Sequence, residues 1–398
     1  MEKKSFFKGL AVGVLTMAVI AVVVVSGGLF YIFGTQAIAS PNITMEKKID
    51  LITAYLDKFY VDEVDKDKLE EGIYEGLVAS LGDPYTNYIS AENMETFLTD
   101  TQGSFSGIGI VVTVNKNENS IVVVSPISGT PAAKAGIQAD DRIVKVDDID
   151  VSGDKLQDAV SMMQGEIGTN VKVTVWRPSA NKMIDFELKR ETINEETVTH
   201  KMLADDIGYI KITQFKENTY DQFMESYEAL QSKKMKGLII DVRNNPGGLL
   251  DVVEKIADKL VPEGTLVYTI DKEGKRQDFI SDKEKIEIPL CLLVNGSSAS
   301  ASEILSGAVQ DMGVGKLVGT QTFGKGLVQG IYRLKDGSGL KITIQKYYTP
   351  KGVCIQGEGI TPDYVVELPE ELQYMLTIPE DKDAQLEKAV EVVRQEMK

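Results

Sequence analysis

The stretch that decides the fold reads Asn295-Gly-Ser-Ser-Ala-Ser300-Ala-Ser-Glu303-Ile-Leu, and it follows the apolar run Leu290 to Val294. Apolar residues then recur at helical spacing up to Gly313, namely Ile304, Leu305, Ala308, Val309 and Met312. This order predicts a strand, a tight turn and a helix that starts at Ser300. Because the unpaired N–H groups of a first helical turn can stabilise an oxyanion, the position suits a serine nucleophile in acyl transfer.

Ser300 also fits a purely structural role. Together with Glu303 it has the pattern of a capping box, in which the serine only bonds a backbone N–H. A nucleophilic role needs a general base, because a serine hydroxyl reacts weakly until something takes its proton. The single histidine, His200, lies in a polar segment, so a Ser-His-Asp arrangement is disfavoured and a lysine is the available base.

Lys325 is the candidate base. It lies between Gly324 and Gly326, which let the backbone pass close to another element, and Gln329 comes within reach if the segment turns helically. Burial must lower the pKa of this lysine well below that of a free lysine for it to act near neutral pH. The alternatives are a surface lysine in a glycine-rich turn and a phosphate loop, which is disfavoured because Gly326 replaces the metal-binding hydroxyl residue.

The two motifs together resemble the active-site signature of the carboxy-terminal processing (tail-specific) serine peptidases. The interval from Ser300 to Lys325 and the interval from Lys325 to Gln329 both match that family. The resemblance implies that Ser300 is the nucleophile, Lys325 the general base and Gln329 the residue that orients the lysine. It implies no cofactor and no metal.

A second element of the same family is the turn Asn244-Asn-Pro-Gly-Gly248, which follows a predicted strand. The resemblance implies that a backbone N–H of this turn forms an oxyanion hole with the N–H of Ala301. Gly247 is the first choice for that donor, and Gly248 is the second. A plain turn between strand and helix is the alternative interpretation.

Short alternating strands with turns occupy residues 104–189 and predict a small β-domain. Ser106-Gly-Ile-Gly109-Ile, Pro131-Ala-Ala-Lys-Ala-Gly136 and the helical segment Leu156 to Met163 resemble a PDZ domain. In such a domain a peptide extends the sheet, and backbone N–H groups hold its carboxylate. The alternative is a β-domain without a ligand. The resemblance assigns peptide binding to Gly107, Ile108, Gly109, Ile110, Leu156, Val160 and Met163.

The amino-terminal segment carries Lys3, Lys4 and Lys8 and then no charge from Gly9 to Met45. Its apolar run is long enough to cross a bilayer, and the lysines favour an inside amino terminus. We therefore expect a membrane anchor, and a signal peptide cleaved after the Ala37-Ile-Ala39 pattern is the alternative. Both interpretations place the body of the protein outside the cytoplasm.

The amino-acid composition indicates which classes of partner the protein can bind. The net charge of -17 argues against nucleic-acid binding and predicts an acidic, soluble surface. The two cysteines, Cys291 and Cys354, fit isolated thiols better than a disulfide, and their spacing shows no metal site. The family resemblance implies protein or peptide substrates with exposed carboxy-terminal tails.

The predicted fold is an α+β multidomain chain. It comprises a membrane anchor or signal segment at residues 1–40, a helical region at 41–92 and a PDZ domain at 93–190. An α/β peptidase core of the ClpP/crotonase type follows at 191–366, and a helical tail occupies 367–398. In the family the helical region packs on the core and can mediate dimerisation; a plain helical cap is the alternative.

These features predict a membrane-anchored, extracytoplasmic serine endopeptidase that captures carboxy-terminal tails with its PDZ domain. The alternative is a PDZ adaptor whose peptidase core is inactive, and the intact Ser300 and Lys325 argue against it. Two positions depart from the family. Cys354 stands where a small hydroxylic residue is expected, and Gln164 stands where many members carry an arginine that links an occupied PDZ domain to the triad glutamine. A neutral glutamine makes a weaker hydrogen bond than a charged donor, so we expect weaker peptide-driven activation.

Overall fold

The computed structural model describes residues 43–373, 375 and 378–398 of the 398-residue chain. The expected membrane segment at residues 1–40 lies outside the described residues. Among the residues that are described, no helix is both long and apolar enough to span a bilayer. The chain forms two compact units, of which the first ends at Tyr74 and the second begins at Glu75.

The first unit contains two helices that the periodicity of the sequence predicts, α1 (Met45–Phe59) and the beginning of α2 (Lys66–Ala79). Thr44 caps α1, and Tyr55 stacks on Phe59 with ring centroids 5.8 Å apart. Neither helix, over its described length, has a buried residue. The apolar face of α1 is therefore exposed to solvent.

The helical region predicted at residues 41–92 continues past the end of the first unit. Strand β1 (Asn87–Ile89) pairs with a strand of the second unit at residues 339–341, and helix α3 (Ala91–Gln102) follows it directly. The sequence pattern missed α3 because Met94 is its one buried residue, which leaves almost no apolar periodicity. Residues 75–102 belong to the second unit.

The PDZ domain is built on an antiparallel sheet with the strand order β3-β4-β5-β7-β8, and β6 pairs with β5. Its strands and helices are β2 (Ser104–Gly107), β3 (Ile110–Asn115), β4 (Ser120–Pro126), α4 (Pro131–Ala135), β5 (Arg142–Val146), β6 (Ile149–Asp150), α5 (Leu156–Met163), β7 (Asn170–Arg177) and β8 (Lys182–Lys189). The sheet and α5 enclose a core of their own. Strand β3 begins only at Ile110, because Gly109 has a φ of 77° and interrupts the extended backbone.

The peptidase core is organised around a six-stranded, mainly parallel sheet with the strand order β10-β11-β12-β15-β16-β19. These strands are β10 (Val198–Met202), β11 (Ile207–Ile212), β12 (Gly237–Asp241), β15 (Leu290–Val294), β16 (Gly315–Gly319) and β19 (Tyr364–Val365). One face of the sheet shares a core with three helices, α6 (Thr219–Ser232), α7 (Leu250–Leu260) and α8 (Ala301–Asp311). Carboxyl ends of parallel strands meet at one edge, which brings the loops after β12 and β15 together.

The predicted helical tail covers the opposite face of that sheet. Its parts are α9 (Glu370–Gln373) and α10 (Ala384–Glu396), and α10 packs its apolar side chains on the sheet residues Ile239, Cys291 and Val318. A buried ion pair fixes this helix in place, because the Arg243 guanidinium binds Asp383, at the start of α10, as well as Asp241.

A second, antiparallel sheet stands beside the first and contains β1, β13 (Gly264–Asp271), β14 (Arg276–Ser281), β17 (Leu327–Arg333) and β18 (Gly339–Tyr348). Strand β18 is its centre, since β1, β13 and β17 all pair with it. The helical turn that would bring Gln329 within reach of Lys325 does not form, because pairing with β18 holds residues 327–333 extended. The absence of a helix here also removes the phosphate-loop interpretation.

A two-stranded ribbon joins the PDZ domain to the peptidase core. It pairs β2 with β9 (Glu191–Asn194), which follows the last PDZ strand. Both cysteines are free: Cys291 is buried in β15, and Cys354 is half-buried. Burial raises the pKa of the Cys291 thiol, so this cysteine stays protonated and unreactive.

Candidate active site

Ser300 occupies the turn between β15 and α8, as the sequence predicts. Its backbone has φ 54° and ψ -113°, a conformation that a residue with a side chain rarely adopts. Strain of this kind persists only where the surroundings enforce it, and it is common at functional sites. The half-buried serine therefore holds a conformation that a simple helix cap does not require.

Glu303 is the residue that enforces this conformation, and sequence reasoning assigned it only a capping role. Its carboxylate is fully buried, and one oxygen accepts from the N–H groups of Ser300 and Lys325, each at 2.9 Å. The other oxygen accepts from the Thr322 hydroxyl at 2.6 Å and the Gly324 N–H at 2.7 Å. One carboxylate therefore holds the serine segment and the lysine segment side by side.

Tyr347, on β18, makes a second link between the same two segments. Its hydroxyl lies 3.0 Å from the Ser300 carbonyl oxygen and also hydrogen-bonds the Lys325 carbonyl oxygen. Burial raises the pKa of Tyr347 well above that of a free tyrosine, so the hydroxyl keeps its proton and remains a donor. The sequence contained no signal for this residue, which is 22 positions beyond Lys325.

Lys325 lies in the loop before β17 and is half-buried. Burial lowers the pKa of its ammonium group, and the positive charge of Lys341 lowers it further; Asp83 and Glu303 act in the opposite direction. The Nζ atom stands 4.7 Å from the ring centroid of Tyr85. No hydrogen bond joins the Lys325 and Ser300 side chains in the described part of the chain, although Glu303 and Tyr347 bring their backbones together.

The two glycines beside Lys325 permit a close approach, as the sequence predicts. A Cβ atom on Gly326 would stand 2.7 Å from the backbone nitrogen of Gln356. The Gln356 side chain in turn accepts from the Gly326 N–H at 2.9 Å. The lysine loop is thus packed against the segment after β18.

Gln329 lies on β17, two residues past Leu327, where a register shift interrupts the pairing with β18. Its side-chain amide donates to the Leu327 carbonyl at 3.2 Å. The expected approach to Lys325 through a helical turn does not occur, because the segment is a strand. A role for Gln329 in orienting Lys325 stays a prediction.

The turn after β12 lies directly against the serine. A Cβ atom on Gly247 would stand 2.7 Å from the Ala299 carbonyl oxygen and 2.8 Å from the Ser300 Cβ, so only glycine fits. The fully buried Asn245, which sequence reasoning missed, anchors the turn: its carbonyl accepts from Ala299 N–H at 3.0 Å. The strand-turn-helix geometry therefore places the turn and Ser300 in one cluster.

The oxyanion-hole candidates differ in what their N–H groups do. The Gly247 N–H donates to the Asn245 side chain at 2.8 Å, so the first choice of donor is already engaged. The N–H groups of Gly248 and Ala301 have no hydrogen bond among the described contacts. The assignment of the oxyanion hole to these glycines and Ala301 stays a prediction.

The PDZ residues predicted to bind a peptide lie in two places. Gly107 ends β2, Ile108 and Gly109 form the loop to β3, and Ile110 begins β3. The Gly109 carbonyl accepts from the Ile127 N–H and the Thr130 hydroxyl, both at 3.0 Å, which fixes the loop.

On the helix α5, Leu156 and Val160 are half-buried, whereas Met163 is 4% exposed and belongs to the core of the domain. Of the predicted peptide-binding residues on this helix, Leu156 and Val160 are therefore accessible, and Met162, which was not predicted, is half-buried as well. Gln164 ends the helix, and its N–H donates to the Val160 carbonyl.

His200 lies on β10, and its Nδ1 stands 3.1 Å from the Ser226 hydroxyl on α6. This contact is separate from the Ser300 cluster. The described residues contain no group of three or more histidine, cysteine, aspartate or glutamate side chains arranged to hold a metal ion.

Comparisons with protein families agree with this architecture. The model of peptidase family S41 matches residues 206–366, and a PDZ domain model matches residues 122–177. A third model, described as the N-terminal domain of the activating protease CtpB, matches residues 35–93.

Curated relatives match over most of the chain. The carboxy-terminal-processing protease of Bartonella bacilliformis is 42% identical over 319 residues, which is 78% of this chain and 72% of that protein. The carboxy-terminal processing protease CtpA of Bacillus subtilis is 35% identical over 361 residues, or 89% of this chain and 77% of that protein. Among solved structures, a putative S41 protease from Bacteroides fragilis shares the fold, with a TM-score of 0.51, 15% identity, and 89% of this chain and 99% of that chain covered.

Proposed function

This chain belongs to peptidase family S41 and is a carboxy-terminal processing serine protease with a PDZ domain, and from that premise we propose that Ser300, Lys325 and Gln329 carry out the reaction. The observation that carries the proposal is the buried carboxylate of Glu303, which binds the N–H groups of both Ser300 and Lys325. A carboxylate buried for helix capping alone has no reason to bind a loop 22 residues away as well.

In the acylation half of the reaction, neutral Lys325 accepts the Ser300 proton while Oγ forms a bond to the scissile carbonyl carbon. The N–H groups of Gly248 and Ala301 donate to the oxyanion that forms. The tetrahedral intermediate then collapses, the C–N bond breaks, and the Lys325 ammonium gives its proton to the leaving amine. The product is an ester between the Ser300 oxygen and the substrate carbonyl.

Deacylation repeats these steps with water. Lys325 takes a proton from the water as the water oxygen bonds to the ester carbonyl carbon. The second intermediate collapses with cleavage of the C–O bond to Ser300, and Lys325 returns the proton to Oγ. Gln329 serves to orient the lysine during both halves, which requires its side chain to leave the Leu327 carbonyl.

The PDZ domain supplies the substrate. A tail that pairs with β3 places its carboxylate at the Gly107-Ile-Gly109 loop and its apolar side chains against Leu156 and Val160. The protein then cleaves a peptide bond upstream of the captured tail. Substrates are therefore proteins or peptides with exposed, mostly apolar carboxy termini.

The test of this function is cleavage by the purified full-length chain of a protein that ends in an apolar tail. We expect internal products with new carboxy termini in mass spectrometry, and none from the Ser300→Ala variant. Equal cleavage by Ser300→Ala would exclude this serine as the nucleophile. Tail binding without cleavage by the unmodified chain would instead identify an adaptor with an inactive core.

The proposal includes a membrane anchor at residues 1–40 with the catalytic body outside the cytoplasm. The nearly continuous apolar run from Leu10 to Phe33, preceded by three lysines, supports this location. Extraction of the chain from cell membranes only by detergent, and its release on deletion of residues 1–40, would support it. Release into the medium without that deletion would show that the segment is cleaved.

We also propose a homodimer formed through the first unit. The exposed apolar side chains of α1, among them Ile52, Tyr55 and Phe59, support a partner surface there. Sedimentation of the chain without residues 1–40 tests this, and a monomer at micromolar concentration would refute it.

A further expectation concerns Gln164, at the end of α5. Replacing it with arginine should increase the stimulation of cleavage by an added tail peptide, because a charged donor bonds a glutamine more strongly than a neutral one does. Gln164→Ala should leave basal cleavage almost unchanged. Initial rates with and without peptide measure this, and Gln157→Arg, an exposed site on the same helix, is the matched control. An equal response from all the proteins would show that Gln164 takes no part in a gate.

A further inference from the structure

The turn Asp83–Thr86 approaches the lysine from outside the peptidase core proper. The Tyr85 ring faces the Lys325 Nζ, with 4.7 Å between that nitrogen and the ring centroid. The Asp83 carboxylate interacts favourably with the charge of the same lysine. Two side chains of one turn therefore interact with the ammonium group of Lys325. The turn lies about 240 residues earlier in the sequence.

Hydrogen bonds hold this turn rigid. The Asp83 carboxylate accepts from the Tyr85 N–H at 2.9 Å and from the Thr86 hydroxyl at 2.7 Å. The Thr86 hydroxyl, on a residue that is 5% exposed, also accepts from the Thr343 N–H of β18 at 3.0 Å. The following strand β1 pairs with β18.

The strand that anchors this turn also carries Tyr347, whose hydroxyl lies on the carbonyl groups of Ser300 and Lys325. The turn, the Ser300 segment and the Lys325 segment are thus all hydrogen-bonded to one strand, β18. A shift of the turn relative to the lysine would break either its pairing with β18 or the Tyr347 contacts.

We propose that the Asp83–Thr86 turn holds the Lys325 amino group for proton transfer, with Tyr85 as the positioning residue and Asp83 as the charge that stabilises the ammonium form. The inference rests on the proposed function, in which Lys325 alternates between amine and ammonium. The ring face and the carboxylate both favour the ammonium, which forms when Lys325 takes the Ser300 proton. They offset burial, which alone would leave the amine too weak a base.

Charged and titratable groups face Lys325 from three elements. The turn contributes Asp83 and Tyr85, and Glu303 approaches from α8. Strand β18 contributes Lys341, whose charge opposes the ammonium, and the protonated hydroxyl of Tyr347. Removing Tyr85 or Asp83, which attract the ammonium, and removing Lys341, which repels it, should therefore shift the midpoint of the pH profile in opposite directions.

The test is the pH dependence of kcat/KM for full-length variants. Removing Tyr85 or Asp83 destabilises the ammonium, so in Tyr85→Leu and Asp83→Asn the acid limb should move to lower pH by roughly half a unit. Tyr85→Phe keeps the ring and should keep the midpoint of the unmodified protein. Lys341→Met should move the limb to higher pH.

Two matched controls remove similar interactions elsewhere. Tyr268→Leu removes a ring that stands 3.6 Å from the Arg276 guanidinium carbon, and Asp336→Asn removes a carboxylate that accepts from Ser338 N–H and hydroxyl in another turn. Neither should move the acid limb. A merely structural role for Tyr85 would lower the rate in Tyr85→Leu without changing the midpoint, and that result would overturn the inference.

Lys325→Arg in the same assay separates this inference from the proposed function. If that variant remains active, the mechanism itself fails and the acid limb belongs to another group. If it is inactive while Tyr85→Leu and Asp83→Asn keep the original midpoint, only the role of the turn is refuted. A Tyr85→Leu variant that cleaves faster but keeps the same pH profile would also refute the inference, because the ring would then hold Lys325 away from the reaction. Circular dichroism confirms the fold of each variant, and the shift expected for Asp83→Asn preserves the test if Tyr85→Leu does not fold.

Discussion

Replacing Lys325 with arginine is expected to reduce cleavage by roughly a thousand-fold or more, while the protein stays folded. A guanidinium remains charged at every accessible pH and cannot accept the Ser300 proton. The measurement is kcat/KM for a tail-bearing substrate, with circular dichroism to verify the fold.

If Lys325 is the general base, the direction in which cleavage activity changes with pH follows. Burial lowers the pKa of Lys325, and only the neutral amine is a base, so activity should rise with pH through a midpoint below that of a free lysine. Lys346→Arg, at an exposed lysine of β18, is the control and should match the unmodified protein. An active Lys325→Arg variant with the same pH profile would contradict the base assignment.

Replacing Glu303 with alanine is expected to lower the free energy of unfolding by at least about 4 kcal/mol and to abolish cleavage. The change leaves four donors without their acceptor inside the protein, and each unsatisfied buried donor costs about 1–3 kcal/mol. Those donors are the Thr322 hydroxyl and the N–H groups of Ser300, Gly324 and Lys325.

The Glu303→Gln variant separates the loss of stability from the loss of cleavage. The amide retains one acceptor oxygen, but its NH₂ group must face two donors, so we expect a smaller loss of stability and still a large loss of activity. Urea unfolding and initial rates are the measurements. Glu387→Ala, at an exposed glutamate in the first turn of α10, is the control and should change stability by less than about 0.5 kcal/mol. Full activity in Glu303→Ala would show that the buried carboxylate does not organise the site.

Local pattern was sufficient wherever an element is specified by its own residues. The strand Leu290–Val294 and the helix Leu156–Met163 have the bounds that their apolar spacing predicts. Each is bounded by turn residues and buries a regular set of side chains, so neighbours along the chain decide its state. The serine and lysine motifs, with their fixed interval, were likewise enough to predict the family.

What the local pattern could not supply lies where distant segments meet. Residues 327–333 are a strand because β18 pairs with them, although their sequence allows a helical turn. Strand β1 likewise joins β18 from far away in the sequence, which no local pattern predicts.

By itself, then, the sequence determined the class of enzyme, the order of its domains and the identity of the candidate nucleophile and base. Only the tertiary structure decided which groups surround them. In the structure the Glu303 carboxylate accepts from the N–H groups of Ser300 and Lys325, and the Tyr347 hydroxyl donates to the Ser300 carbonyl. The Tyr85 ring faces the Lys325 amino group. The physical reason is that burial and charge at a site are summed over everything packed around it, and no local periodicity encodes contacts between residues hundreds of positions apart.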